Sequence, residues 1–465
     1  MKLETVIHGT SATLQDILDA RETRAFRQNE LLSMAGAGSV ISFSMNIAGA
    51  IKSFPLALAA FEEGLGLLKD RIPSDWILHM EEKRAVTGPE ALFVLAAAPM
   101  TVKQLTAAIE ESHPLGRLFD MDVIGLDRRS VSRSALGFPP RTCLICGDNA
   151  KACARSKKHS IELVLWHTAQ MLNEYFKGKS ADVAASCAVR ALLYEVSATP
   201  KPGLVDRKNS GSHRDMDFFT FLDSSAALIP CFRDFFCIGW ENSTLPDQQL
   251  FDRLRFSGQE AERRMFSATK GINTHKGLIF ASAIVLGALG SLCAKELTAI
   301  DSSRILEKCR TLGACSLVDF NHTLDTAGGC IHSAYGLTGA RGEAAAGFPA
   351  AITIGLPALK AWLANGMTLN DASALALLAI LSKTDDTNMI HRGGVELARQ
   401  SKAEAETILS QITPDTFLKI LDELDQSFIQ KHLSPGGCAD ILAISLMFLF
   451  LETNGIITPI ISTNH

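Results

Sequence analysis

The stretch Thr199-Pro-Lys-Pro-Gly-Leu-Val-Asp-Arg-Lys-Asn-Ser-Gly-Ser-His-Arg-Asp-Met-Asp217 joins two apolar runs that have the spacing of helices. It contains two prolines, two glycines, one histidine, three acids and four basic residues. A connection between packed helices usually needs only a few residues. A long loop of this composition on a rigid scaffold is typical of a functional segment, although a solvated loop with incidental charges would have the same composition.

Apolar runs with helical spacing recur on both sides of this stretch and continue toward the end of the chain. From Ala181 onward there is almost no strand signal, so this part of the chain is predicted to be all-α. Gly178-Lys-Ser180 interrupts the helical pattern before it, which predicts domains at 1–177 and 178–465. The predicted helices of the second domain cover roughly residues 181–197, 217–237, 247–268, 276–294, 302–325, 349–364, 370–382, 394–410, 414–431 and 437–451.

The first domain mixes helix and strand patterns. Helical spacing predicts helices at roughly residues 14–34, 56–68, 102–112 and 159–176. Period-two alternation predicts strands at roughly residues 40–47, 76–80 and 91–98, with a turn at Gly88-Pro89 before the last one. The fold class is therefore an α+β domain followed by a larger all-α domain.

Composition excludes several classes of protein. Hydrophobic residues make up 47% of the 465, and the net charge of -5 gives no case for nucleic-acid binding by the whole protein. The 11 cysteines are an odd number, and none precedes Cys143, which is typical of a reduced protein. Residues 277–294 carry no charge, but their Gly, Ala and Ser content favours a buried helix over a membrane span. Since the N-terminus has no apolar run of signal-peptide length, we expect a cytoplasmic protein without a membrane partner.

Two acids alternate with apolar residues after His113-Pro-Leu-Gly-Arg117. In a strand, Asp120 and Asp122 would share one face and repel each other unless a cation lay between them. Carboxylate oxygens suit Mg²⁺ shared with a phosphate substrate, and Gly116 and Arg117 could approach phosphate oxygens. The alternative is an edge strand with two solvated acids.

The residues after these acids are basic. Between Arg128 and Lys158 there are eight Lys or Arg residues and one acid, which indicates either a solvated face or a site for a triphosphate-bearing ligand. The same tract contains Cys143, Cys146, Cys153 and His159, whose spacing can close a tetrahedral, structural Zn²⁺ site. A reduced cysteine cluster without metal is the alternative.

Four further polar connections separate the helices of the second domain. They are Gly271-Ile-Asn-Thr-His-Lys-Gly277, Gly336-Leu-Thr-Gly-Ala-Arg-Gly-Glu343, Asp385-Asp-Thr-Asn-Met-Ile-His-Arg-Gly-Gly394 and Ser434-Pro-Gly-Gly-Cys-Ala-Asp440. Each alone can be an ordinary helix terminator, and a lone histidine such as His275 is more often structural than catalytic. If they converge with residues 199–217, they form a pocket for a polyphosphate and a divalent metal. The chain contains neither a Walker A pattern nor a strand-following G-x-G-x-x-G.

These motifs resemble those of two enzyme families. Through His113-Pro-Leu-Gly-Arg-Leu-Phe-Asp-Met-Asp-Val123 and Pro139-Pro-Arg-Thr-Cys-Leu-Ile-Cys146 to His159, the first domain resembles the apo-citrate lyase phosphoribosyl-dephospho-CoA transferases, or holo-citrate lyase synthases. The second domain resembles the triphosphoribosyl-dephospho-CoA synthases. The motifs that carry this second resemblance are Pro200-Lys-Pro-Gly-Leu-Val-Asp206, Gly271-Ile-Asn-Thr-His-Lys-Gly277, Gly339-Ala-Arg-Gly-Glu343, Asp386-Thr-Asn388, Arg392-Gly-Gly394 and Ser434-Pro-Gly-Gly437. The chain looks like a fusion of the two.

The resemblance implies two successive transfers. The second domain would join ATP to 3′-dephospho-CoA and release adenine. The first domain, with a nucleotidyltransferase-type activity, would then attach the product to a serine of the citrate lyase acyl carrier subunit and release diphosphate. The equivalent enzymes of malonate decarboxylase are an alternative, and a non-catalytic nucleotide-binding protein is another.

The resemblance also implies roles for individual residues. The implied catalytic groups are Asp120, Asp122, Asp215, Glu343 and Asp386. The implied substrate-binding residues are Gly116, Arg117, Lys201, His213, Arg214, Asn273, His275, Lys276, Arg341, Asn388, Arg392, Ser434, Gly436 and Gly437. Mg²⁺ would lie at Asp120 and Asp122, and also at Asp215 and Asp386. The chain departs from the family patterns at Ser134, where the family has a second Arg, and at Arg264, where the family has an acid.

Overall fold

The chain divides into two compact units in its computed structural model, Met1–Gly178 and Lys179–His465. The structure describes residues 6–34, 36–318 and 332–460. The boundary lies inside one continuous helix, Ile161–Ser197, which supplies residues to both units. The first unit is α+β and the second is helical, as the hydrophobic periodicity of each predicts.

The first unit is a four-stranded antiparallel sheet with helices. In chain order its elements are α1 (Leu14–Leu31), β1 (Ser39–Met45), α2 (Pro55–Arg71), β2 (Ile77–Ala85), β3 (Gly88–Leu95), α3 (Pro99–Ser112), β4 (Phe119–Gly125), α4 (Ala150–Ser156) and α5 (Ile161–Ser197). The strand order is β2-β3-β1-β4, so β4 lies at an edge. This confirms the α+β prediction for the first part of the chain.

The apolar face of the sheet packs on aromatic rings. Phe43 on β1 stacks on Phe61 of α2 with ring centroids 4.8 Å apart, and it meets the edge of Phe119 at 5.7 Å. Along β4, Phe119, Met121 and Val123 are fully buried, while Asp120 and Asp122 face the other side. The predicted alternation of this strand is confirmed, and both carboxylates share one face of the sheet.

The second unit is helical. Its helices are α6 (Phe218–Glu241), α7 (Asp247–Ala268), α8 (Lys276–Cys293), α9 (Ser302–Ala314), α10 (Gly339–Ala345), α11 (Leu356–Ala364), α12 (Leu369–Lys383), α13 (Thr387–Gln411), α14 (Phe417–Gln430) and α15 (Gly436–Thr453). A π-helical turn, Ala351–Gly355, leads into α11. Residues 319–325 of the helix predicted at 302–325 lie outside the described residues.

Among the described residues of this unit, two helices are long and apolar enough to cross a membrane by length and composition. These are α8 and α15, and 83% and 67% of their residues are buried inside the protein. Along α8 every residue from Ala281 to Cys293 is buried. The prediction of a buried central helix at 277–294 is thereby confirmed, because helices that are apolar on all sides belong in the interior.

Three local predictions are wrong. Gly88 and Pro89 belong to β3, and the hairpin turn lies at residues 86–87. Gly178-Lys-Ser180 does not break the helix, because one helical glycine costs only about 1 kcal/mol and the buried Ala181 and Ala184 that follow hold the helix in place. The connection at 385–394 is mostly the start of α13, which is interrupted at Gly394, where φ is 81°.

Candidate functional site

In the first unit the structure places Asp120 and Asp122 on the polar face of the edge strand β4. The side chain of Asp120 is 47% exposed, and Asp122 is exposed. Burial raises the pKa of Asp120 above its ordinary value, and the neighbouring charge of Asp122 raises it further. The carboxyl of Asp120 is therefore a better proton acceptor than a solvated aspartate.

The neighbouring strands add polar groups to this face. Ser44 and Ser42 of β1 lie opposite Asp120 and Asp122. Glu90 of β3 lies next to Ser44, and Arg24 of α1 binds both of its carboxylate oxygens at 2.7 and 2.9 Å. These three acids from two strands thus share one surface, on which Arg24 pairs with Glu90, and the carboxylates of Asp120 and Asp122 favour a cation.

Several arginines lie near the N-terminal end of β4. Arg141 donates to the carbonyl oxygen of Phe119 at 3.0 Å and lies 3.6 Å from the carboxylate of Asp120. Burial lowers the pKa of Arg117, and the charges of Arg141 and Arg133 lower it further. Because guanidinium groups stay protonated in proteins, this cluster presents concentrated positive charge beside two acids.

The predicted contact residue Gly116 has a packing role. A Cβ atom at this position would lie 2.1 Å from the carbonyl oxygen of Glu110, so no other residue fits without moving the backbone. The carboxylate of Glu110 accepts from the backbone N–H of Met121 at 3.0 Å and forms an ion pair with Arg141. The turn before β4 is therefore fixed by close packing and by a buried acid.

The four predicted zinc ligands come together. The ligand atoms of Cys143, Cys146, Cys153 and His159 all lie within 4.8 Å of one another. In the described part of the chain, this is the one group of three or more His, Cys, Asp or Glu residues arranged so that it could hold a metal ion. The Nε2 atom of His159 is 3.2 Å from the sulfur of Cys146, which is 3.5 Å from the sulfur of Cys153.

The second unit contains a cavity of about 1440 Å³. The five polar connections singled out in the sequence all contribute to its wall. The predicted residues that line it are Lys201, His213, Asn273, His275, Lys276, Arg341, Glu343, Asp386, Asn388, Arg392, Ser434, Gly436 and Gly437. Arg214 and Asp215 do not line it: both are exposed, and the Asp215 carboxylate lies 3.9 Å from the Nδ1 atom of His213.

The stretch 199–217 is an ordered loop that two buried acids organise. Asp206 accepts from the hydroxyl of Thr199 at 2.7 Å and from three backbone N–H groups of the loop. Asp425 of α14 accepts from the backbone N–H of Gly203 at 2.9 Å. Gly203 has a φ of 70°, and a Cβ there would lie 2.3 Å from the carbonyl oxygen of Leu433, so glycine is required.

Lys201 does not face the cavity as a free cation. Its side chain is 1% exposed, and its ammonium group forms an ion pair with Glu195, which is 5% exposed. Burial raises the pKa of Glu195, and the charge of Lys201 opposes that rise. Lys201 therefore neutralises a buried acid of α5 at the cavity wall.

His213 connects three of the polar connections. Its Nε2 atom is 2.9 Å from the hydroxyl of Ser434, and a guanidinium nitrogen of Arg392 lies 3.3 Å from its Nδ1 atom. Burial lowers the pKa of His213, and the charge of Arg392 lowers it further, so the ring is neutral near pH 7. Because arginine can only donate, Nδ1 accepts, and Nε2 carries the proton that it donates to Ser434.

His275 is buried with one ring nitrogen unpartnered among the described residues. Its Nδ1 atom is 2.7 Å from the hydroxyl of Ser224, which itself accepts a hydrogen bond from Thr274. Ser224 can donate its hydroxyl proton to Nδ1, and in that tautomer Nε2 of His275 carries a proton that has no partner among the described residues. Burial lowers the pKa of His275 to about 3, so the ring is a neutral donor at the cavity wall.

Two acids lie beside the first turns of α8, α13 and α15. Asp386 caps α13 through the N–H groups of Asn388 and Met389 and also accepts from the N–H of Cys438 on α15 at 2.8 Å. Asp440 is so close to α8 that a Cβ on Gly277 would lie 2.3 Å from its carboxylate. Burial raises the pKa of Asp440 well above its ordinary value, and the charges of Glu195 and Asp386 add to the rise.

The rest of the wall holds three more acids, Glu262, Glu343 and Asp385, and several donors. Glu343 accepts from the backbone N–H of Ala350 at 3.1 Å, and burial raises the pKa of Glu343. Lys276 is exposed and lies 3.2 Å from Glu262. Arg341 and Asn388 also line the cavity. The cavity thus combines protonatable acids with cations and helix N-termini, which suits an anionic ligand that undergoes chemistry.

Comparison with known proteins assigns the two units. Residues 12–175 match the family model CitX, described as apo-citrate lyase phosphoribosyl-dephospho-CoA transferase. Residues 181–457 match CitG, described as ATP:dephospho-CoA triphosphoribosyl transferase. Protein CitXG of Leuconostoc mesenteroides subsp. cremoris is 35% identical, over 94% of this chain and 97% of its own length. Protein CitXG of Haemophilus influenzae is 34% identical, over 96% and 98%.

The chain belongs to the CitXG family. It is a bifunctional transferase of citrate lyase prosthetic-group synthesis, with a CitX part followed by a CitG part. The CitG part is also 40% identical to a probable 2-(5''-triphosphoribosyl)-3'-dephosphocoenzyme-A synthase of Streptococcus mutans, over 57% of this chain and 95% of that protein.

The two departures from the family patterns lie in different surroundings. Arg264 of the CitG part lies on α7, 3.5 Å from Glu260, and it is not among the residues that line the cavity. In the CitX part, Ser134 bonds Ser132 at 2.6 Å, while Arg133 pairs with Glu111.

Sequence reasoning selected neither Glu195 nor Asp440 as site residues of the CitG part. Glu195 is a single acid in an apolar helix, and such an acid normally faces solvent. Asp440 is the last residue of the connection 434–440. Its position one turn into an apolar helix is the feature that could have identified it as a site residue.

Proposed function

We propose that the CitG part joins ATP to 3′-dephospho-CoA, giving 2′-(5″-triphosphoribosyl)-3′-dephospho-CoA and adenine, and that the CitX part then transfers the phosphoribosyl-dephospho-CoA group to a serine of the citrate lyase acyl carrier subunit with release of diphosphate. The cavity of about 1440 Å³ is the observation that carries the first reaction. A pocket for one drug-sized ligand has about 300–1,000 Å³, so this cavity has the capacity for two nucleotides.

In the first reaction the 2′-hydroxyl oxygen of dephospho-CoA bonds to C1 of the ATP ribose, and the bond from C1 to adenine breaks. The hydroxyl proton passes to a carboxylate, and adenine leaves with a proton from a second acid. Burial raises the pKa values of Glu343 and Asp440, which suits both tasks near neutral pH. The developing positive charge on the ribose is stabilised by ionised carboxylates of the wall.

The phosphates are bound by groups of fixed orientation. His275 offers a neutral N–H donor, and Ser434, which accepts from His213, keeps its own hydroxyl proton for a ligand. Arg392 and Lys276 are exposed cations of the wall. These donors and the N-termini of α8 and α15 favour a triphosphate over a neutral ligand.

In the second reaction the carrier serine oxygen bonds to the phosphorus nearest the ribose, and the bond to diphosphate breaks. Asp120 takes the serine proton, since its pKa is raised by burial and by Asp122. Arg117, Arg133 and Arg141 bind the triphosphate and stabilise the leaving diphosphate.

Mg²⁺ fits Asp120 and Asp122 of the CitX part better than it fits Asp215 and Asp386, the pair predicted for the CitG part. Asp120 and Asp122 share one strand face, and Mg²⁺ in proteins is bound by one or two carboxylates and substrate phosphates. When bound there, Mg²⁺ would neutralise phosphate charge. In the CitG part, Asp386 is occupied by three backbone N–H groups and Asp215 does not line the cavity, so the two do not form a metal pair.

The test uses the full chain, purified and mixed with ATP, 3′-dephospho-CoA and Mg²⁺. We expect free adenine by chromatography, in equal amount to the triphosphoribosyl product by mass spectrometry. Failure of adenine to appear would overturn the first reaction. Addition of the apo citrate lyase carrier should then raise the mass of the carrier by the phosphoribosyl-dephospho-CoA group.

The carrier-labelling experiment distinguishes the citrate lyase carrier from the malonate decarboxylase carrier as the partner. The apo carrier of each enzyme is offered alone, and then both are offered in competition. We expect preferential labelling of the citrate lyase carrier, and a carrier serine-to-alanine variant should take up no label. Preferential labelling of the malonate decarboxylase carrier would overturn the assignment of the partner. We place these reactions in the cytoplasm, where ATP and reduced cysteines are available.

A further inference from the structure

The segment 137–160 of the CitX part is ordered without a core of its own. Of its residues only Cys153 is buried. A chain segment this short and this exposed cannot offset its conformational entropy by apolar burial, so small folds of this kind depend on a metal or on disulfides. Cys143, Cys146 and Cys153 are all free thiols here.

The turn between the first two cysteines has a fixed geometry. The backbone N–H of Gly147, whose φ is 74°, donates to the carbonyl oxygen of Cys143 at 3.2 Å. The N–H of Cys143 donates to the carbonyl oxygen of Asp148 at 2.6 Å, and Thr142 and Asn149 form an isolated bridge. This tight turn directs both cysteine side chains to the same point.

The other two ligands come from the next helical turn. Asn149 caps α4, and Cys153 follows one turn later. Lys157 has a φ of 50°, which ends α4 and leads the chain back so that His159 lies against Cys146. Tetrahedral Zn²⁺ with Zn–S distances of about 2.3 Å and Zn–N distances of about 2.0 Å places its ligand atoms about 3.5–3.8 Å apart. The separations of 3.2 and 3.5 Å agree with this to within a few tenths of an ångström.

We propose that Cys143, Cys146, Cys153 and His159 bind one structural Zn²⁺, and that this metal holds Arg141 at the transferase site. Four protein ligands complete a tetrahedral shell and leave no position for substrate. The positioning role follows from the chain: Arg141 lies two residues before Cys143 and contacts both Asp120 and the carbonyl oxygen of Phe119. Arg117 donates to the carbonyl oxygen of Thr142, within the same turn. This second part rests on the proposed function of the CitX part.

The first experiment measures metal content in the full chain, expressed with zinc and freed of any affinity tag. We expect about one zinc per chain by inductively coupled plasma mass spectrometry. Cys146→Ser should reduce the bound zinc at least tenfold. The matched control is Cys315→Ser, which alters a half-buried cysteine of the CitG part outside the cluster and should leave the zinc content unchanged. A wild-type chain without bound zinc, or equal zinc in the two variants, would overturn the site.

A second measurement covers the case in which Cys146→Ser misfolds. Titration of the wild-type chain with a zinc chelator, followed by limited trypsin digestion, should increase cleavage within 137–160 at least tenfold, and added zinc should reverse the increase. Thiol titration after chelation should still count every cysteine as reduced. Two missing thiols would show a disulfide in place of the metal and would contradict the proposal.

The positioning role is tested with the two activities of the same chain. Cys146→Ser should reduce carrier labelling at least tenfold and leave adenine release unchanged, because the CitG part does not contain the cluster. Equal carrier labelling by Cys146→Ser and Cys315→Ser would refute the role of the metal at Arg141. Zinc content is independent of both activities, so a failure of the proposed reactions is distinguishable from a failure of the metal site.

Discussion

The buried pair of Lys201 and Glu195 provides a direct test of how the cavity wall is stabilised. The family resemblance assigns Lys201 to a phosphate, whereas the structure pairs it with Glu195, and both side chains are at most 5% exposed. If the pair is structural, Lys201→Met leaves a buried carboxylate without its counter-charge. Removal of one partner from a buried pair costs about 3–5 kcal/mol.

The pH dependence follows from the carboxyl group. In Lys201→Met, burial raises the pKa of Glu195 without the opposing charge of Lys201, so folding favours the protonated carboxyl. Each pH unit between the ordinary pKa of 4.5 and the raised folded-state pKa costs about 1.4 kcal/mol, so the variant loses more stability at pH 7.5 than at pH 5. Stability falls as the pH rises from the ordinary pKa of 4.5 toward the raised folded-state pKa, so the deficit of the variant should shrink to below about 1 kcal/mol at pH 5.

The assay is reversible denaturant unfolding of the full chain at pH 7.5 and pH 5, followed through the transition of the helical unit. Glu195→Gln in the Lys201→Met background should recover at least half of the lost stability at pH 7.5, because no charge remains buried. The matched control is Lys208→Met on the same loop, whose pair with Asp422 is about half exposed and should cost less than about 1 kcal/mol. A Lys201→Met variant as stable as the control, or a deficit that does not depend on pH, would refute the pairing as a source of stability.

Three further outcomes are expected. Asp120→Asn should reduce carrier labelling about 100-fold while adenine release is unchanged, since it removes a proton acceptor of one reaction only; loss of both activities together would contradict separate sites. Gly277→Ala should cost about 1–3 kcal/mol in thermal unfolding, because its Cβ would lie 2.3 Å from the carboxylate of Asp440, and Gly277→Ala with Asp440→Ala should relieve this. His275→Phe keeps an aromatic ring but removes Nε2, which has no partner among the described residues, together with the Nδ1 contact to Ser224. It should raise the KM for ATP about tenfold in adenine-release kinetics, whereas an unchanged KM would exclude a ligand contact there.

The elements of the fold follow from periodicity wherever one face is buried. The strand β4 was predicted because Phe119, Met121 and Val123 alternate with acids, and all three are fully buried. Glycine and proline were less informative about where helices and strands end. Gly178 lies inside a helix, because long-range packing outweighs a local preference of about 1 kcal/mol. Pro89 lies near the start of β3, before the first residue that pairs with β1, and a strand tolerates proline there.

The local sequence predicted which segments form the candidate site, but not how their side chains pair. The five polar connections do line one cavity, yet no local pattern shows that Lys201 pairs with Glu195 or that Asp440 lies against Gly277. Arg214 and Asp215 have the same residue types as true wall residues, and only the path of the loop turns them to solvent. Side-chain pairing and direction are tertiary properties, which depend on segments far apart in the chain.

The carboxylate of Asp386 joins the starts of α13 and α15 through N–H groups of both helices. Mutations in these two connections therefore share one anchor, and their effects should be epistatic. Once Asp386 is replaced, its hydrogen bond to the N–H of Cys438 is already absent, so a further change at residues 434–438 should cost less stability. Homologous recombination or directed evolution of this enzyme would then exchange the segments 385–388 and 434–438 together more readily than separately. We therefore expect the two connections to change together in evolution, although 45 residues lie between Asn388 and Ser434.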